Sequence, residues 1–192
     1  MLCVTGAVLL AGGQVAQAAR STPKEPEVNL TGPLFKIAGV QFTIPVKWLP
    51  LPTMNIARVG QWQIPSLHGE SESGEAVVFY FGPKNGVSPK DNLDAWMGTV
   101  VNADGHPATA EVKTREASGF KISQIVVFGT YNQTLPYPGL PPRPHPNYGL
   151  FGTVVETPHG NLFFRFTGPA TLVTADLPLF NKIIDSIKPV AQ

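Results

Sequence analysis

The sequence predicts an α+β fold: a largely antiparallel β-sheet covered by two amphipathic helices. Three observations predict it. Runs rich in Val, Ile, Phe, Thr and Tyr recur at residues 40–44, 75–81, 110–116, 120–130, 148–157 and 161–167, and these residue types favour a pleated, half-buried backbone. Two other segments, one mid-chain and one near the end, repeat apolar residues at the 3.6-residue period of a helix. Short turns containing Gly, Ser118-Gly119 and Pro158-His159-Gly160, join consecutive strand runs, as they do in antiparallel hairpins. Strands, helix, strands, helix is the order of a domain in which each helix buries its stripe on a sheet face.

Along the chain, Val40, Phe42 and Ile44 alternate with Gln41 and Thr43, the period of a strand with one buried face, and Pro45 stops it. Prolines 50 and 52 make a turn before an irregular strand over 55–63. Residues 75–81 (EAVVFYF), bounded by Gly74 and Gly82, read as a strand covered on both faces. Ser88 is placed to cap a helix, with Pro89 at its first position and Asp91 in its first turn. Leu93, Trp96, Met97, Val100 and Val101 form its apolar stripe, and Asp104-Gly105-His106-Pro107 turns the chain out of it. A second helix is expected from near Asp176, with Pro178 in its first turn and Phe180, Ile183, Ile184 and Ile187 facing the core, until Lys188 and Pro189 end it.

The 192 residues are 43% hydrophobic and 14% charged, with a net charge of +1. That balance belongs to a packed domain rather than a disordered one. It also removes the electrostatic case for nucleic acid, whose phosphates require clustered Lys and Arg. Residues 1–19 read as a cleaved export signal, because positions 4–19 are apolar or small and Ala16-Gln17-Ala18 offers small residues where a signal peptidase reads. A basic flank is missing from residues 1–5, and a buried strand or an anchor is the alternative. The run is short of the roughly 20 apolar residues of a membrane span, so no stable span is expected after cleavage. Cleavage removes Cys3, the sole cysteine, and with it any disulfide or thiolate chemistry. Residues 20–32, polar and proline-containing, read as a disordered tether, and 33–190 as a single domain in the periplasm or the extracellular space.

Phe42, Pro45 and Trp48 form a Phe-x-x-Pro-x-x-Trp pattern, and residues 180–187 form a terminal Phe-x-x-Ile-Ile-x-Ser-Ile helix. With the mid-chain helix and the long antiparallel region between them, the chain resembles the PsbP-like family over most of its mature length. Residues 92–96 (NLDAW), 148–152 (YGLFG) and 163–169 (FFRFTGP) are similar to a group of uncharacterised exported bacterial proteins. The resemblance implies an α/β/α sandwich and protein binding rather than catalysis, as in the extrinsic subunit of the oxygen-evolving complex. The matched positions are core residues for the most part, so the resemblance carries no partner-binding surface onto particular side chains here.

No G-x-S-x-G elbow, G-x-x-x-x-G-K-[ST] loop or G-x-G-x-x-G turn occurs, and no cofactor is expected. Asp91 and Asp94 come nearest to an acid–base pair, but stabilisation of the helix dipole already accounts for them. His68, Glu70 and Glu72 are the metal candidates: residues 68–75 (HGESESGE) gather one imidazole and three carboxylates, nitrogen and oxygen ligands for a hard or borderline cation. A solvated connection is the alternative reading. Residues 135–146 (LPYPGLPPRPHP) hold six prolines, which stiffen the chain toward polyproline II. The stretch is either a rigid connection, since Pro cannot donate to a sheet ladder, or an exposed recognition loop with Tyr137, Arg143 and His145 as anchors. The expected function is therefore an exported, monomeric, non-enzymatic module that binds an unidentified protein of the envelope or extracellular space through that loop. The alternative is a metal-dependent or other hydrolase with its site near the 68–75 loop.

Overall fold

The computed structural model describes residues 29–53, 55–67, 69–83, 87–135 and 139–190. The expected signal over 1–19, most of the expected tether, His68 and Tyr137 lie outside the described residues. In chain order the elements are β1 (Leu34–Ile37), β2 (Val40–Thr43), β3 (Leu49–Pro50), β4 (Arg58–Ile64), β5 (Gly74–Tyr80), α1 (Pro89–Met97), β6 (Val100–Val101), β7 (Lys113–Ala117), β8 (Phe120–Gln133), β9 (Arg143–Glu156), β10 (Leu162–Pro169), α2 (Ala170–Asp185) and β11 (Lys188–Pro189). The main sheet runs β3-β4-β5-β10-β9-β8-β6, with β7 also on β8, and β1-β2-β11 form a small second sheet. The strand pairings are antiparallel. The chain is thus a mostly antiparallel sheet with two helices.

Alternation along the strands sorts the side chains into two clusters. In one, Trp62, Val78, Phe151, Phe164 and Phe166 pack with Leu172, Phe180 and Ile184 of α2. In the other, Ile125, Val127, Leu150, Val154 and Phe163 pack with Leu93 and Trp96 of α1. Neighbours in sequence, such as Phe163 and Phe164 or Leu150 and Phe151, fall into different clusters because successive strand residues point to opposite faces. The α2-side cluster is aromatic: Phe166 lies 4.5 Å from Phe180 and 5.4 Å from Trp48, and Phe42 lies 5.1 Å from Phe164. Such ring pairs contribute about 0.5–1.5 kcal/mol each beyond their burial. Phe42 and Trp48 of the Phe-x-x-Pro-x-x-Trp pattern therefore anchor β2 and the turn after it onto the main sheet.

Local signals behave as expected at several points. Ser88 Oγ accepts from the Asp91 N–H at the start of α1. Ser118 and Gly119 both take positive φ, 52° and 80°, as a tight hairpin between β7 and β8 demands. Elsewhere tertiary pairing overrides the sequence pattern. Val100 and Val101, expected on the stripe of α1, follow its Gly98 cap and form β6 against Tyr131 and Thr130. Adjacent β-branched residues fit a ladder better than a helix end.

The second helix begins at Ala170, well before Asp176, and Pro178 lies inside it rather than in its first turn. Leu172 and Val173 are buried by that extension. At roughly 1.5–3 kcal/mol each, they offset the ~3 kcal/mol cost of an interior proline. β7 starts at Lys113 rather than 110, and β9 starts at Arg143, inside the stretch expected to be a loop. Prolines 144 and 146 are tolerated because β10 does not reach this part of β9, so no second ladder requires their missing N–H. At the other end, Leu30 packs against the core and the Val46 N–H donates to the Thr31 carbonyl at 2.9 Å, so the packed chain begins ahead of residue 33.

Gly152 of β9 sits directly beneath α1. A Cβ there would meet Trp96 Cε3 at 2.7 Å and Ile125 Cγ1 at 3.0 Å, and the indole has no flexible end to move aside. Gly152→Ala is expected to destabilise the protein by about 1–3 kcal/mol in urea denaturation. The penalty should shrink in a Trp96→Leu background, where the obstructing ring is gone. Equal penalties in the two backgrounds would show that α1 does not seat on Gly152.

Candidate functional site

β8 and β9 have 14 residues each, whereas β10 has 8 and covers β9 only from Tyr148 onward. The end of the pair that β10 does not reach, with Tyr131, Asn132 and Gln133 opposite His145, Pro144 and Arg143, forms an arm that still has β6 beside Tyr131 and whose root is marked by a register shift between Gly129 and Tyr131. Three rings gather there. Tyr131 and Tyr148 stack at 6.3 Å and 12°, and His145 lies 4.8 Å from Tyr148. The His145 Nε2–H donates to Gln133 Oε1 at 3.1 Å. Of the predicted anchors, His145 is half-buried in this ring cluster and Arg143 is exposed. The described loop residues 139–142 are all exposed, with Leu140 at 53%.

The 68–75 loop arrives at the same place, a proximity its sequence position does not reveal. The Tyr148 hydroxyl donates to Glu72 Oε2 at 2.7 Å, and Thr171 Oγ1 donates to Glu70 Oε1 at 2.6 Å. Thr171 belongs to the first turn of α2, whose cap residue Pro169 has no side-chain acceptor. A carboxylate beside that helix start is favoured by its dipole. The second Glu70 oxygen is buried without a hydrogen-bond partner. Glu70, Glu72, Pro146, Tyr148 and Thr171 line a shallow cleft of about 380 Å³, so two sequence candidates, the acidic loop and the proline-rich stretch, share a wall. Among the described residues no group of three His, Cys, Asp or Glu side chains is arranged to hold a metal ion.

Beside the arm, strand register builds a polar row into an otherwise apolar face. Gln63 stands opposite Glu75, Glu75 opposite Thr167, and Thr167 opposite Leu150. Leu150 packs in the α1 cluster, while the other three line an open cleft of about 260 Å³ with Leu51, Ser73, Tyr131, Gln133, His145 and Tyr148. Glu75 accepts from Gln61 at 2.7 Å and pairs with Arg58 at 3.9 Å and Arg165 at 3.7 Å. Both guanidinium groups lie over the Phe79 ring, at 5.6 and 5.4 Å. The Arg165 side chain is only 14% exposed, a burial that requires such a partner carboxylate and ring.

Arg165, Tyr131, Tyr148, Thr167 and Gln63 do not stand out in the sequence as site residues. One signal was present. Phe163, Arg165 and Thr167 share a strand face, so a charge falls where alternation calls for an apolar residue.

A larger cleft, about 660 Å³, lies elsewhere, between β7, β8 and α2. Its polar groups serve mainly one another. Arg115 pairs with Asp185 at 2.6 Å and donates from Nε to Gln124 Oε1 at 3.1 Å, while Gln124 Nε2 reaches Thr153 and Asn181, both at 3.3 Å. This network fastens α2 to the sheet.

Burial raises the Tyr131 phenol above its ordinary value of 10, with the Glu75 charge adding and Arg165 and Arg58 opposing. Burial, and then the hydrogen bond to Glu72, hold Tyr148 well above the same value. For a raised group, the stabilisation is complete below the unfolded value of 10 and is lost as pH climbs toward the folded value. A phenolate absorbance titration should show Tyr131 and Tyr148 ionising late. Tyr148→Phe should remove one late step and flatten the fall of stability above pH 10. Ionisation of Tyr148 near pH 10 in the folded chain would contradict its contact with Glu72.

No protein-family model matches the sequence, and no curated protein matches it. Among solved structures, the chain is similar to the cyanobacterial PsbP, CyanoP, of Synechocystis sp. PCC 6803, at 13% identity and a TM-score of 0.49, covering 86% of this chain and 96% of that one. It is also similar to a protein of unknown function from Pseudomonas aeruginosa, PA94, at 11% identity and a TM-score of 0.44, over 83% of this chain and 98% of that one. Both likenesses are of fold alone, with TM-scores below 0.5.

Proposed function

We propose that the protein is an exported accessory module that binds another protein of the envelope or extracellular space through the tip of the β8–β9 arm, and that it performs no chemistry of its own. One observation carries this reading: residues 139–144, with Leu140 and Arg143 among them, are exposed at the end of the two longest strands. The root of that arm is held by the Tyr131–Tyr148–His145 rings and the Tyr148–Glu72 hydrogen bond. A surface fixed at its root and stiffened by proline loses little entropy when a partner docks. Exposed Arg beside an apolar side chain supplies the kind of anchor that dominates interface energies.

The apolar leader at 1–19 supports export, and no helix among the described residues is long and apolar enough to cross a membrane. The two core clusters, on alternate strand residues, support reading the architecture as an α/β/α sandwich. The hydrolase alternative has one observation in its favour, the unpartnered Glu70 oxygen beside the second cleft.

A photoreactive amino acid at position 140, in the source cell, should cross-link one protein. Arg143→Ala, or Pro141→Ser together with Pro142→Ser, each with the photoreactive residue kept at 140, should abolish the cross-link while the fold is retained. A cross-link that survives both changes, or one equally strong from Lys90 on α1, would overturn the assignment of the surface.

A further inference from the structure

The cleft at the root of the arm holds polar groups that the protein itself leaves unused. Tyr131 and Thr167, each 5% exposed, both line it. Neither hydroxyl is a buried atom left without a partner, and both residues open onto the cleft, where a hydroxyl can donate and accept. Two amides beside them are half used. Gln63 Nε2 donates to Ser73 Oγ at 2.9 Å and leaves Oε1, while Gln133 Oε1 accepts from His145 and leaves Nε2. Donors and acceptors therefore mix on one small wall, with Leu51 and the Tyr148 ring adding apolar contact.

Charge narrows the occupant. No Lys or Arg lines the cleft, and its one carboxylate, Glu75, is already engaged by Gln61, Arg58 and Arg165. An anion finds no free cation there, and a cation finds its counter-charge taken. The volume of about 260 Å³ lies below the ~300–1,000 Å³ usual for drug-sized ligands. A compact, neutral molecule whose groups both donate and accept fits this wall, and hydroxyl groups do both.

We propose that this cleft binds a single neutral sugar ring, with the Tyr131 and Thr167 hydroxyls and the Gln63 and Gln133 amides on its hydroxyl groups and Tyr148 against its C–H face. The site is separate from the loop tip, so it stands or falls independently of the protein-binding reading.

The test is a ¹H–¹⁵N titration of the full chain with D-glucose, D-galactose and N-acetyl-D-glucosamine, each used alone. At least one sugar should give saturable shifts confined to Gly74, Tyr131, Gln133 and the Gln63 side-chain amide. Tyr131→Phe, which keeps the ring and removes only the hydroxyl, should weaken that sugar at least tenfold without disturbing the rest of the spectrum. Thr167→Val repeats the test at the second hydroxyl and decides alone if Tyr131→Phe fails to fold. The proposal is overturned if none of the three sugars moves these resonances, if shifts scatter over the surface, or if the folded variants bind as the parent does.

Discussion

The pairing of two 14-residue strands, β8 and β9, inside a sheet whose other long members have seven or eight residues is the constraint on which the rest of the structure depends. Along their inner half both strands have neighbours and are covered, with Phe151 and Val155 in one cluster and Leu150 and Val154 in the other. Beyond Tyr148, β10 no longer accompanies them, and the same alternation that built the core presents Tyr131, His145 and Gln133 to an open cleft. Proline is compatible with this outer stretch and would be costly in the inner one. A single mismatch of strand lengths thus produces the arm, its edge and the concavity beside it.

Where helix side chains approach the sheet closely is set by which strand residues leave room. Gly152 makes space for Trp96, and Gly149, where a Cβ would fall within 3.0 Å of Phe128 and Val173 atoms, makes room for α2. α1 spans only Pro89–Met97, so it covers part of its face, and the rows beyond it turn polar through Gln63, Glu75, Arg165 and Thr167. Burying the Arg165 charge here is compatible with folding because Glu75 and the Phe79 ring both face it. The polar patch is therefore a consequence of a helix shorter than the sheet, held in register by the strands that also build the core.

Much of this was legible in the sequence where the cause is local. Ser88, Pro89 and Asp91 start α1 by capping and dipole interactions that need no tertiary partner. Val40, Phe42 and Ile44 show their buried face by simple alternation. The extent of α2 was not legible, because Leu172 and Val173 outweigh Pro178 only once a sheet exists to bury them. β6 was missed for the same reason, since Val100 and Val101 fit a helical stripe until Tyr131 and Thr130 are beside them. Of the site, Arg143, His145, Glu70 and Glu72 were visible as residue types. The meeting of Glu72 with Tyr148, and of Gln63 with Glu75 and Thr167, depends on long-range register that no short-range pattern encodes.

The arm is a formed ladder docked through its rings, not a loose loop. Nuclear Overhauser effects between the ring protons of His145, Tyr148 and Tyr131 test that most directly. Centroid separations of 4.8 Å for His145–Tyr148 and 6.3 Å for Tyr131–Tyr148 predict strong cross-peaks for the first pair, weaker ones for the second, and strand-like chemical shifts over 143–146. Random-coil shifts there, with no contact between His145 and Tyr148, would show that the arm is a loose loop.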